Sequence, residues 1–142
     1  MIWKSAPSLE QLNAMSHDTL LAHLGITFTA IGEDYLCATM PVDRRTRQPF
    51  GLLHGGASVV LAESLGSTAA SLVVGPDSPC VGLDINANHV RGVRDGIVTG
   101  RASPKHLGRS THVWQIDIAD GRERLVCTSR LTMAVLGAVA TS

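Results

Sequence analysis

The chain has no excess charge of either sign: 12 Lys and Arg balance 12 Asp and Glu. That argues against a protein held to nucleic acid or to a membrane surface by bulk charge. A near-neutral surface also associates easily, so an oligomer is expected. No apolar run is expected to reach membrane-spanning length, because Ser, Glu, Asp, Gly or Pro interrupts each candidate. Cysteine is scarce. Cys37, Cys80 and Cys127 are odd in number, lie far apart and form no CxxC pair. They read as reduced, mostly buried small side chains of a cytoplasmic protein, and none sits in a recognisable nucleophile motif. His54 and His106 are isolated, and no His/Cys/Asp cluster has metal-ligand spacing, so no metal is expected. Met1-Ile2-Trp3-Lys4-Ser5 lacks the apolar stretch of a secretory signal. Internal repeats and low-complexity tracts are absent.

What remains is one domain. The 142 residues are 44% hydrophobic, enough for a real core. Ser8 caps a short helix with Leu9, Leu12 and Met15 on one face. A strand over His23 to Ile31, a turn at Gly32-Glu33-Asp34 and a strand over Tyr35 to Val42 predict a hairpin. Asp43 to Phe50 is a polar, Arg-rich loop. A long helix then runs from about Gly55 to Val74, and Gly75-Pro76 stops it. Small residues are abundant along it, so a sheet is expected to wrap it closely. Four β-like segments follow: Cys80 to Val90, Gly96 to Ala102, Thr111 to Ala119 and Leu125 to Leu136. Val81, Leu83, Ile85, Ala87 and His89 are expected to share one face. Residues 137–142 read as a loose tail. Strands in a row with one long helix predict an α+β fold, an antiparallel sheet with one buried helix.

Two features of that helix bear on chemistry. A glycine pair, Gly55-Gly56, opens it, and free N–H groups at a helix start can hold an oxygen that is gaining negative charge. One acid, Glu63, sits among Val, Leu and Ala, where a carboxylate needs a purpose or a partner. Taken singly, each signal is weak. Glu63 reads equally as a solvated helix acid, His54 and Gln48 as loop residues, and the glycines as a tight turn. Glu63 and Ser67 stand at i and i+4, so Ser67 can hydrogen-bond the carboxylate. His54 and Glu63 lie nine residues apart, on roughly opposite helix faces and roughly 13 Å apart. They meet only if two chains do.

The run Gln48-Pro49-Phe50-Gly51-Leu52-Leu53-His54-Gly55-Gly56, followed by Glu63 and Ser67, resembles the hotdog-fold acyl-CoA thioesterases. Within them it is most similar to the bacterial branch that hydrolyses 1,4-dihydroxy-2-naphthoyl-CoA or proofreads the enterobactin synthetase. Met1 to Lys4, Met40 to Asp43, Asn86 to Arg91 and His106-Leu107-Gly108 extend the likeness over essentially the whole chain. The resemblance implies a hotdog fold, an antiparallel sheet wrapped around one long central helix. It implies Glu63 as the catalytic carboxylate, nucleophile or general base on water. Gln48 would position the thioester, and the Gly55 N–H would polarise its carbonyl. His54 would bind or orient near the thioester, and Ser67 would orient the water or the carboxylate. Glu63 and Ser67 would come from one subunit, and Gln48, His54 and Gly55 from its neighbour. A dimer is then the catalytic minimum, paired into a tetramer.

His89, Arg91, His106, Gly108 and Arg109 are the candidates to hold coenzyme A, which arrives as part of the substrate, with no further cofactor. Phe50, Ser64 and Thr68 are candidates for the acyl group. Phe50 either stacks on an aryl group or packs. Thr68 stands where the family usually carries an apolar side chain. The expected reaction is hydrolysis of aryl-CoA or acyl-CoA thioesters. The alternatives are a proofreading hydrolase of misloaded aryl carrier protein, a non-catalytic acyl-CoA-binding protein and a hotdog dehydratase. The presence of Glu63 argues against the binding protein, and its spacing from His54-Gly55-Gly56 argues against the dehydratase.

Overall fold

The structure of the protein, a computed structural model, describes residues 1–137; the expected loose tail lies, past Gly137, outside the described residues. Two short helices, α1 (Leu9–Met15) and α2 (Leu20–His23), precede the hairpin of β1 (Thr27–Ile31) and β2 (Leu36–Pro41). The long helix α3 spans Gly55–Val74. It is followed by β3 (Cys80–His89), β4 (Ile97–Leu107), β5 (Thr111–Ala119) and β6 (Leu125–Val135). The six strands form one sheet in the order β1-β2-β4-β5-β6-β3, every pairing antiparallel. Twenty helical residues span about 30 Å, enough to carry the chain from β2 across the sheet to its far edge. This is the expected α+β hotdog architecture.

Helix and sheet are pressed together, and the small residues are the reason. The inner face of α3 is Ala57, Ser58, Leu61, Ala62, Leu65, Gly66, Ala69, Ala70 and Leu72. A Cβ on Gly66 would stand 2.6 Å from Leu131 Cδ2, and one on Gly100 of β4 would stand 2.6 Å from Leu65 Cδ1. Trp114, Ile116, Ile118, Leu131 and Met133 complete the core from β5 and β6. Of the three free cysteines, Cys127 is buried and Cys37 and Cys80 are half-buried. Burial pushes all three thiols up, away from the reactive thiolate.

Four expectations need correction. The strand predicted from His23 begins at Thr27, because α2 comes first. Thr19 caps it by accepting from Leu21 N, and Gly25, at φ +73°, turns the chain out of it. A four-residue helix leaves no periodic signal. β4 does not stop at Ala102 but runs to Leu107, because a register shift between Pro104 and His106 absorbs the proline. The alternation expected in β3 is broken by a register shift between Gly82 and Asp84. Finally, α3 is by length and composition apolar enough to cross a membrane; its scattered Ser residues and single Glu interrupt it too little. Here it packs on the sheet.

The N-terminus is pinned by aromatic contacts. Trp3 stacks on Trp114 with centroids 6.3 Å apart, and its Nε1 donates to Gly32 O at 2.7 Å. Trp114 Nε1 donates to His112 Nδ1 at 3.3 Å. His112 is only 2% exposed. Burial, with the neighbouring His106 adding to it, holds its pKa below the ordinary histidine value. Below the ordinary value the unfolded chain takes a proton that the folded chain refuses, so stability falls with pH in that window. The urea midpoint is expected to drop between about pH 7 and about pH 5, and His112→Gln to flatten that slope. An unchanged slope in the variant would assign the dependence to other groups.

Candidate active site

The loop before α3 is built to hold one end of a site. Thr46 is 1% exposed; its Oγ1 donates to Pro41 O at 2.8 Å and accepts from Asp43 N at 3.1 Å. Its carbonyl accepts from His54 N at 2.7 Å. Asp43 accepts from both the backbone and the guanidinium of Arg45, which holds its carboxyl at about 2. Gln48 Oε1 accepts from Phe50 N at 2.5 Å and Leu52 N at 3.4 Å. The amide oxygen is thus used by its own loop, and the NH2 is left to donate outward.

His54 is the N-cap of α3, and its Nδ1 accepts from Gly56 N at 2.8 Å. An imidazole here does the work usually done by Ser, Asp or Asn. The first four N–H groups of the helix can then be followed one by one. His54 N donates to Thr46 O, Gly56 N to His54 Nδ1 and Ala57 N to His54 O. Gly55 N has no acceptor among the described residues. It is the free donor that a developing oxyanion would use, at the positive end of the helix dipole.

The glycine pair is not a tight turn, for neither glycine has positive φ. Each makes room for an imidazole. A Cβ on Gly55 would lie 2.9 Å from His89 Nε2, and one on Gly56 would lie 2.9 Å from His54 Nδ1. Gln48, Leu52, Gly55, Ser58, His89 and Arg91 share a cleft of about 400 Å³. Phe50 stands at 84% exposure beside it, so it does not pack within its own chain. His54→Ala is expected to cost about 1 kcal/mol of stability through the lost cap, and His54→Asn to restore it. Denaturant unfolding of the two variants measures this.

Glu63 lies two turns further along α3 and is half-buried. Its Oε2 would be 2.5 Å from a Cβ on Gly82 of β3, so the carboxylate rests on bare backbone. No hydrogen bond or ion pair holds it among the described residues, and the bond expected from Ser67 is not formed. Ser67 instead lines an apolar groove of about 520 Å³ with Pro7, Leu12, Met15, Thr68 and Ser71. Ser64 is half-buried beside Glu63.

The predicted coenzyme A contacts do not form one cluster in the protomer. His89 pairs with Cys127, near the start of β6, and Arg91 N reaches Val126 O. His106, Gly108 and Arg109 belong to the β4–β5 hairpin, level with Val135 at the other end of β6. Eight residues of strand put about 27 Å between the two levels. Gly108 has a structural duty, since a Cβ there would meet His106 Nε2 at 2.5 Å. Sequence reasoning missed Gly82, although a glycine inside an apolar strand pattern is the mark of a bulge or a close approach. Among the described residues, no three His, Cys, Asp or Glu side chains gather as a metal site.

The protomer thus carries a donor half (Gln48, His54, Gly55, His89, Arg91) gathered around the start of α3 and an acid half (Glu63, Ser64, Ser67, Thr68) further along the same helix. Comparisons with known proteins bear on what such halves do. The thioesterase superfamily profile matches residues 50–127, which contain the acid half and all of the donor half but Gln48. The chain is 58% identical over 136 residues to the 1,4-dihydroxy-2-naphthoyl-CoA hydrolase of Escherichia coli, covering 96% of this chain and 100% of the relative. It is 54% identical over 137 residues to a proofreading thioesterase of Cronobacter sakazakii, with 96% and 100% covered. A crystal structure of a thioesterase from Haemophilus influenzae superposes with a TM-score of 0.96 at 53% identity, covering 99% of each chain. With likeness of that extent running through the free Gly55 donor and the Glu63 helix alike, this chain belongs to the thioesterase superfamily and is an acyl-CoA thioester hydrolase of the hotdog fold.

Proposed function

We propose that the protein hydrolyses aryl-CoA thioesters, of the 1,4-dihydroxy-2-naphthoyl-CoA or benzoyl-CoA kind, at two sites shared across a cytoplasmic homodimer. One observation carries the shared site: β3 is an open edge ten residues long that touches both halves, one at each end. Gly82 underlies Glu63 near its start, and His89 covers Gly55 at its finish. An antiparallel pair of β3 strands about a two-fold sets the start of one against the finish of the other. Exposed Val81 and Leu83, at 45% and 60%, give that edge apolar surface to bury. Two such dimers would pair into the tetramer.

The thioester carbonyl oxygen accepts from the Gly55 N–H and from the Gln48 amide of one subunit. Both donors strengthen as the oxygen becomes negative. Glu63 of the partner subunit either attacks the acyl carbon, forming a mixed anhydride that a water then hydrolyses, or takes a proton from a water that attacks the carbon itself. In both cases that water supplies the acid's oxygen and the thiol's proton. The C–S bond breaks, the sulfur leaves with a proton as coenzyme A, and the acid is released. The aryl group enters the apolar groove past Ser67 and Thr68, with Phe50 free to close over it. The pantetheine arm crosses the cleft beneath His89 and Arg91.

Thiol release from naphthoyl, benzoyl, medium-chain acyl and crotonyl thioesters of coenzyme A tests the reading. Preference for an aryl ester supports it; preference for an aliphatic ester overturns the acyl class. The identity to a proofreading thioesterase favours a second reading, a misloaded aryl carrier protein as substrate. Faster hydrolysis of an aryl carrier protein than of the matching coenzyme A ester would select it.

A further inference from the structure

We propose that Gly82, at the β3 bulge, is a positioning residue for the Glu63 carboxylate, an inference that rests on Glu63 being the reacting acid. The strand register supplies the first argument. Ile85, Ala87 and His89 pair with Leu131, Ser129 and Cys127, all buried, so they face α3. Regular alternation would bring Leu83 inward next. A leucine there would fill the gap between β3 and the helix. The register shift between Gly82 and Asp84 instead leaves Leu83 unpaired and 60% exposed. Gly82 then falls opposite Met133, which is fully buried. The bulge exchanges the largest inward side chain available for none.

The second argument is what occupies the gap. A Cβ on Gly82 would stand 2.5 Å from Glu63 Oε2 and 3.6 Å from its Cδ. The remaining neighbour within reach is Met133 Sδ, at 3.9 Å. The carboxylate oxygen thus stands in the space that a Cβ on Gly82 would need. No side-chain donor fixes it from another direction among the described residues. Its position is set by the shape of the β3 backbone, which β6 holds on both sides of the bulge through Val81↔Ala134 and Asp84↔Thr132.

This geometry separates fold from rate. A methyl on Gly82 meets the far end of a flexible side chain and no backbone, so the chain accommodates it by swinging the carboxylate aside. Gly82→Ala is expected to keep the melting temperature and oligomeric state of the wild type. A displacement of about 1 Å at the reacting group lowers kcat about 100-fold, with KM near its wild-type value. In the Glu63→Gln background the same substitution is expected to lower the rate no further, since no carboxylate is left to misplace. Should Gly82→Ala alone not accumulate, the Glu63→Asp/Gly82→Ala pair carries the test. The shorter acid leaves room for the methyl, and kcat should match that of Glu63→Asp alone. The proposal is overturned if Gly82→Ala keeps kcat within about threefold while Glu63→Gln is inactive. A fall in kcat matched by lost stability, or by a raised KM, also overturns it. Full activity in Glu63→Gln would remove the reading beneath it as well.

Discussion

Glu63→Gln is expected to lower kcat about 1,000-fold while leaving KM, melting temperature and oligomeric state almost unchanged. The size follows from the chemistry. A side-chain amide of the same shape can neither attack an acyl carbon nor take a proton from water, and positioned carboxylates contribute factors of that order. The residual rate is what the proposed Gly55 and Gln48 donors would supply, since they would polarise the carbonyl whether or not the acid is present. The selectivity of the loss follows from the structure. Glu63 makes no hydrogen bond or ion pair among the described residues, so the fold loses no partner when the charge goes. Gln keeps the contact with Gly82, because it reaches equally far. Thiol release and thermal unfolding measured on one preparation decide the matter. Loss of activity together with loss of stability would make Glu63 a structural residue. Retained turnover would put the chemistry elsewhere.

How much of this could be read in advance depended on how local each signal was. Helix α3 was legible at both ends, because a glycine pair opens it and Gly75, at φ +83°, closes it. The N-cap Ser8 of α1 was equally local, and the structure adds Gln11 to it as the second half of a capping box. The strand expected over Gly96 to Ala102 was too short at its far end, where a bulge carries β4 past Pro104 and a linear pattern does not show bulges. β3 misled for a related reason. Val81, Leu83 and Ile85 form an apolar alternation in sequence, so a strand with one inserted residue reads the same as one without. The inserted residue is what turns Gly82 to Glu63, 19 positions away in sequence, and only the pairing of β3 with β6 reveals it. Gly55 and Gly56 were legible as a helix start but not as sockets for His89 and His54, because His89 arrives from a different element. The coenzyme A candidates were grouped by residue type. The sheet places them at its two opposite ends, which one chain cannot bring together.

That division yields the second large effect. An equal mixture of subunits of two inactive variants, Glu63→Gln and Gln48→Ala, is expected to recover about a quarter of wild-type activity. Each homodimer carries a defect in both of its sites, one losing the acid and the other the outward-facing amide that donates to the thioester. A mixed dimer gathers both defects into one site and leaves the other with a native Gln48 and a native Glu63. With equal mixing about half of the dimers are mixed, and each has one working site of two. No site completed within a single chain can do this, because every chain in the mixture carries a defect. Differently tagged subunits, co-refolded and purified by both tags, isolate the mixed dimer, whose activity should then approach half that of the wild type. Confirmed mixed dimers that stay inactive would break the link between the open β3 edge and the reaction. The donor half and the acid half would then have to meet along α3 of one chain, across the two helical turns that separate Gly55 from Glu63. A helix holds that distance fixed, at about 12 Å along its axis for eight residues, and so it is the pairing of β3 strands, start against finish, that can close it.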